Sequence, residues 1–213
     1  MGQKHYVSNK DESARLFQSG FLELFTHVHP TIPLIVYLPV IGYCLYDAAT
    51  SPLIPVAGIF GLFVGGLTVW TITEYLLHRY VFHYEPKSDW GKQLHFLMHG
   101  VHHDYPNDSL RLVMPPVVSL PLAALFYGLF YVVVGGTGVL PFFAGFLTGY
   151  LCYDMIHYAT HHFAMKGRIG LWLKHHHMKH HYQTDDYNYG VSSPIWDFVF
   201  DTALERKEAA PES

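Results

Sequence analysis

Four groups of histidines carry most of the chemistry open to this chain: His78 and His83; His99, His102 and His103; His157, His161 and His162; and the run His175, His176, His177, His180 and His181. In His99/His102/His103 and again in His177/His180/His181, residues i, i+3 and i+4 project from one face of a helix, a metal-ligand arrangement. His157 and His161 lie one helical turn apart. His78 and His83 are five apart, about 140° around an ideal helix. That spacing predicts that they diverge and serve two different metals. A single group of this kind can be no more than a polar, His-rich surface. Four groups exceed what a closed zinc site uses, which is about four ligands. Ten well-spaced imidazoles point to two metal ions with about five nitrogens each, leaving room for water or oxygen. Imidazole suits zinc, copper, iron and nickel alike, so ligand type does not choose the metal. His27 and His29, just before Pro30, lack ligand spacing and read as loop residues.

Two divalent ions among neutral imidazoles leave about four positive charges uncompensated beside a low-dielectric membrane, which favours carboxylates nearby. Glu74, four residues before His78, and Asp154, three before His157, sit at the membrane ends of apolar runs. Intramembrane carboxylates are functional candidates, and the service expected of these two is to orient a ligand histidine. Asp154 and its neighbour Tyr153 are the catalytic candidates besides the ligands.

The elements that must position these residues follow from segregation of the sequence. Half of the 213 residues are hydrophobic and only 14% are charged, against about 25% in soluble domains. Apolar runs at about 31–49, 53–77, 115–135 and 139–156 are each long enough to cross a hydrocarbon core as a helix. Thr50-Ser51-Pro52 and Gly135-Gly136-Thr137-Gly138 join them in pairs. The expected fold is an all-α integral membrane protein: four transmembrane helices in two hairpins, with a cytosolic helical cap holding the histidines. A polar N-terminal segment covers 1–30, the membrane domain 31–203, and a polar tail 204–213. Glu12 to Phe25 places Leu16, Phe17, Phe21, Leu22, Leu24 and Phe25 at roughly helical spacing, predicting an amphipathic interfacial helix.

None of the 13 Lys and Arg residues lies in either hairpin turn. The positive-inside rule therefore makes the opposite face cytoplasmic, with both termini and all four histidine groups on it, in a bacterial inner membrane or an ER-like one. A cleavable leader is not expected, because the first residues are polar and charged. Cys44 and Cys152 fall in apolar runs and read as buried free thiols. A net charge of −4 without a basic stripe argues against a nucleic-acid partner.

Longer stretches carry a resemblance: His78 to His83; His95 to His103; Pro106 to Pro116, with its Asp-Ser-Leu-Arg-Leu-Val-Met-Pro-Pro; Tyr153 to His157; His177 to Tyr182; and Asn188 to Asp197. Over about residues 60–203 the chain resembles the fatty acid hydroxylase superfamily of membrane dimetal enzymes, and within it the fatty acid 2-hydroxylases that act on sphingolipid acyl chains. The resemblance implies ten ligands: His78, His83, His99, His102, His103, His157, His161, His177, His180 and His181. His95, His162, His175 and His176 are left near the site. It implies iron as the working metal, with zinc possible as found, and O2-dependent hydroxylation at C2 of an acyl chain. Family members often carry a cytochrome b5 domain, which 30 polar residues cannot hold, so electrons are expected from a separate donor of cytochrome b5 or ferredoxin type with its reductase. Asp108, Arg111 and Asn188 are candidates for holding the substrate head group, Arg111 by its bidentate guanidinium. Trp196 and Tyr189 are expected to pack the cap.

A desaturase or a sterol- or carotenoid-type hydroxylase would share the metal site and differ in substrate; loss of two hydrogens rather than gain of one oxygen separates the former. A metal-binding or transport protein would line its spans with polar residues, which the first and third spans do not.

Overall fold

The computed structural model describes residues 6–209; residues 1–5 of the N-terminal segment and 210–213 of the polar tail lie outside the described residues. Four helices are long and apolar enough to cross a membrane: α2 (Thr31–Thr50), α3 (Val56–Leu77), α6 (Pro116–Val134) and α7 (Val139–His162), preceded by the short α1 (Gly20–Leu24) and separated by α4 (Asp89–His95) and α5 (Val101–Asp104). After α7 come α8 (Gly167–Tyr182), α9 (Ile195–Val199) and α10 (Leu204–Ala209). The described residues form no strand.

Prolines set several limits. Pro55 is extended at the N-cap of α3, so the second span opens at Val56 rather than near residue 53. Pro116 takes the first turn of α6, where its missing N–H costs nothing. The fourth span continues to His162, past the 156 expected from hydropathy, because its last turns are helical but rich in histidine.

α7 is the central post. Of its most apolar window 67% is buried, against 11% in α3 and in α6, whose outward residues such as Phe60, Leu125 and Val132 face the space a bilayer fills. Small residues bring α3 and α7 together. A Cβ on Gly66 would sit 1.8 Å from the Phe142 carbonyl oxygen, and one on Gly145 would sit 1.9 Å from that of Phe63. Without a hydrophobic force between helices in lipid, such backbone contact is the main source of cohesion. Trp70 fills the next layer, edge-on to Phe146 and Tyr150. Cys44 is buried in this core, whereas Cys152 is exposed on the outer face of α7; both are free thiols.

The N-terminal segment departs from the expected helix over 12–25. Only Gly20–Leu24 is helical. The backbone N–H groups of Leu16 and Phe17 donate to Glu23 Oε2 at 3.0 and 2.7 Å, and the Arg15 side chain donates to the carbonyls of Phe17 and Gln18. Side chains thus satisfy this backbone in place of a helical ladder. The stretch from 204, read as a polar tail, turns back on the cap: the Leu204 N–H donates to Asn188 Oδ1 at 2.8 Å.

Candidate metal centre

α3 runs on without a break into a π-helical turn, His78–Phe82. Its wide ladder, with the His83 N–H donating to the His78 carbonyl at 3.2 Å, undoes the divergence expected of an i, i+5 pair. His78 Nε2 and His83 Nε2 stand 3.3 Å apart and belong to one group. A second π turn, Phe96–Gly100, leads into α5 and sets His99. Short π segments of this kind are frequent at functional sites.

The ten histidines form two groups, within each of which the candidate ligand nitrogens all lie within 4.8 Å of one another. His78, His83, His99, His103 and His180 make the first; His102, His157, His161, His177 and His181 make the second. The two i, i+3, i+4 sets are therefore divided rather than shared. Residues i and i+4 lie about 40° apart around a helix, while i and i+3 lie about 60° apart in the other sense. Hence His99 and His103 face one centre and His102 the other. On α8, His177 and His181 face the second centre and His180 the first.

Donor chemistry decides whether a metal fits. The Nδ1–H of His78 donates to the Tyr189 carbonyl, and that of His180 to the Tyr187 carbonyl at 2.6 Å. A carbonyl can only accept, so Nδ1 carries the proton in both rings and Nε2 is left as a lone pair. These lone pairs face further imidazole nitrogens: His180 Nε2 is 3.0 Å from His83 Nε2, and His78 Nε2 is 3.2 Å from His99 Nε2. In the second group His102 and His157 meet at 2.9 Å and His161 and His177 at 3.0 Å, all through Nε2. Nitrogens bound at right angles to an ion some 2.1 Å away would lie about 3 Å apart. The residues fit a cation in each group.

Burial keeps these rings neutral. It pushes His83 down to about 2, with the neighbouring His78 and His95 adding to the effect. Burial, then His83, pushes His180 down to about 3. His99, His102, His103, His177 and His181 are held well below the ordinary histidine range by burial and then by neighbouring histidines. Neutral imidazole is the form that binds metal.

The carboxylates behave differently from expectation. Glu74 does not orient a histidine; it accepts the backbone N–H groups of Val191 and Ser192, each at 2.7 Å, and so fastens the returning loop to α3. No described histidine hydrogen-bonds to Asp154, whose Oδ2 is buried without a partner. The second nitrogens of His78 and His180 are held by main-chain carbonyls instead, which side-chain reading could not reveal. One carboxylate that sequence reasoning missed does pair with a histidine. Asp197 faces His176 Nε2 at 3.0 Å and accepts the N–H groups of Tyr189 and Gly190 at 2.9 and 2.7 Å. His176 thus turns away from the metal groups and organises the loop whose carbonyls serve them. Tyr189 also packs its ring on His78, His83 and His180, and the Trp196 indole N–H donates to Thr71 Oγ1 at 3.0 Å. His95 donates to the Phe82 carbonyl at 2.6 Å, His162 stacks on Tyr158, and His175 is exposed.

A cavity of about 350 Å³, walled mostly by apolar side chains, reaches His99, His102 and His157 and is bordered by Tyr153 and Asp154. One of its histidines belongs to the first group and two to the second. A second, polar opening of about 290 Å³ reaches His83, His99, His103, His180 and His181 beside Asp104 and Asp185. The three head-group candidates are otherwise engaged. Arg111 borders the cavity, but its guanidinium is held by Glu23, the Ala14 carbonyl and His27. Asp108 accepts from Ser13 Oγ at 2.7 Å and the Leu110 N–H at 3.1 Å. Asn188, at φ +60°, donates to the His176 carbonyl at 3.0 Å and does not line the cavity.

Residues 63–202 match the family model described as fatty acid hydroxylase. The chain is 39% identical over 204 residues to a dihydroceramide fatty acyl 2-hydroxylase of Arabidopsis thaliana, covering 95% of this chain and 85% of that one. It is 36% identical over 219 residues to the fatty acid 2-hydroxylase of Rattus norvegicus, covering 93% and 58%. A solved structure of full-length Scs7p, in which only the hydroxylase domain is visible, superposes with a TM-score of 0.83 at 38% identity, covering 91% of this chain and 73% of that one.

Proposed function

The chain belongs to the fatty acid hydroxylase family, and on that premise we propose that it hydroxylates C2 of a fatty acyl chain, carried as the free acid or in a sphingolipid. The observation that carries this reading is the apolar cavity that reaches His99, His102 and His157. An acyl chain lying in it brings its polar end, and with it C2, to the nitrogens of both groups. The five histidines of each group would hold one metal ion, and iron is the metal whose redox chemistry would let O2 attack an unactivated C–H bond. The reaction consumes O2, two electrons and two protons and yields the alcohol and one water.

The protein's own part is positioning. The carbonyls of Tyr187 and Tyr189 fix two rings in the tautomer that presents Nε2. Burial holds rings such as His99, His102, His177 and His181 neutral. The apolar walls exclude water from the acyl chain, and Asp154 and Tyr153, the latter with its ring packed on that of His157, border the same cavity. The polar opening beside Asp104 and Asp185 supports a second route for water, protons and the electrons of a separate donor protein. The membrane face that carries the histidines is the cytoplasmic one in this reading.

The test is turnover by the purified full chain in liposomes, with ferrous iron, O2, a reducing system and an N-acyl substrate deuterated at C2. Product carrying one added oxygen and one fewer C2 deuterium is expected. Loss of two hydrogens with no added oxygen would transfer the chain to the desaturase reading, and oxygen at another carbon would discard the C2 assignment.

A further inference from the structure

The residues before the first span are engaged in more than leading the chain to the membrane. Asp11 Oδ1 accepts the Ser109 N–H at 3.0 Å, Ser13 Oγ donates to Asp108, and the Val28 N–H donates to the Leu110 carbonyl at 2.7 Å. Between these ties Glu23 does two things at once. Oε1 is paired with the Arg111 guanidinium, and Oε2 accepts the N–H groups of Leu16 and Phe17. The Arg111 side chain is only 3% exposed and that of Glu23 13%, so this is a partly desolvated, charge-assisted contact of the strong kind. The result is a strap from Asp11 to Thr26, stitched along the stretch that leads into α6.

The strap forms one wall of the apolar cavity. Leu16 and Phe17 line it half-buried, while Leu22 and Phe25, 47% and 46% exposed, line it together with Val117 of α6. Phe21 and Leu24 of α1 stay outside the cavity, 70% and 68% exposed. The same cavity is lined by His99, His102 and His157. We propose that this strap is the specificity wall of the acyl site: Phe17 and Leu16 meet the chain remote from C2 and set the length accepted, and Glu23 fixes that wall by its bonds to Arg111 and to the two backbone N–H groups. The inference rests on the acyl-hydroxylase reading and says where that enzyme measures its substrate.

The test offers the full chain in liposomes two saturated N-acyl sphingoid bases in competition, one long and one very long. Phe17→Ala should raise the ratio of kcat/KM for the very long over the long chain by about tenfold, the size of discrimination that a few methylenes give in an apolar pocket. Phe17→Trp should lower it. Glu23→Gln, which loosens the wall, should move the same ratio toward the very long chain by less than Phe17→Ala and leave metal per chain near wild type. A ratio unmoved by either Phe17 variant, with metal retained, overturns the proposal. A companion arm needs no turnover and no variant: a diazirine at the methyl end of the acyl chain, irradiated on the wild-type protein, should mark residues 15–26. Marking confined to other segments overturns the proposal, and strap marking without hydroxylated product would count against the acyl-hydroxylase reading alone.

Discussion

A histidine in this chain is defined by where its second nitrogen goes. His180 and His176 lie four apart on α8 and both are buried, yet His180 turns Nε2 into the first group while His176 turns Nε2 to Asp197. Spacing in the sequence set His177, His180 and His181 apart from His175 and His176, and that distinction is visible in the geometry. It did not show that the three belong to two centres, because i, i+3, i+4 periodicity treats one helical stripe as one face. Nor could it show Asp197, 21 residues downstream, or the carbonyls of Tyr187 and Tyr189, since main-chain acceptors leave no mark in residue type. The expected consequence is a separation of metal from stability. With one ion in each group as proposed, His180→Ala should lose about one ion per chain, because the first group is left with four imidazoles and a widened gap. His176→Ala should keep both and instead cost about 2–4 kcal/mol for the buried cavity and the lost Asp197 contact, roughly 5–15 °C in thermal midpoint for a chain of this size. Elemental analysis with thermal unfolding checks both, and equal metal loss in the two variants would sink the assignment.

At the scale of elements, the four spans were legible because twenty apolar residues in a row leave few alternatives. The π turn after α3 was not, because a single widened turn has no compositional signature, and treating 78–83 as α-helix sends His83 the wrong way by about 140°. The strap was misread for a related reason: its apolar spacing is helical, but Glu23 and Arg15 take the backbone groups that a helix would need. What holds the two centres in register is the α3–α7 seam, since His78 and His83 follow α3 and His157 and His161 ride on α7. Gly66→Ala places a methyl group where the Phe142 carbonyl oxygen already stands. No rotamer relieves a clash with main chain, so the helices must part. The expected cost is several kcal/mol, on the order of 3 or more, with metal lost from both groups. Gly61→Ala, where nothing lies within 4 Å of the added methyl, should be neutral. If Gly66→Ala binds metal and unfolds like wild type, the seam is not what aligns the site.

For the whole molecule, the arrangement of charge across the bundle agrees with the arrangement of chemistry. All ten candidate ligands gather at the end of the bundle where α3 and α7 finish and α8 begins. The two turns at the opposite end, residues 51–55 and 135–138, contain no Lys or Arg. Lys and Arg resist translocation and bias the loops that carry them toward the cytoplasm, so the metal end should face the cytoplasm and the electron donor should meet the polar opening there. Apolar runs alone give the number of crossings and not their direction; only the basic residues carry the sign. With Cys44→Ala and Cys152→Ala as background, a cysteine placed at Thr137 should react with a membrane-impermeant maleimide on intact cells, and one placed at Lys87 should react only after the membrane is opened. The reverse pattern would turn the molecule over and put the histidines, the cavity mouth and the strap on the outer leaflet, where a cytoplasmic reductant could not reach them.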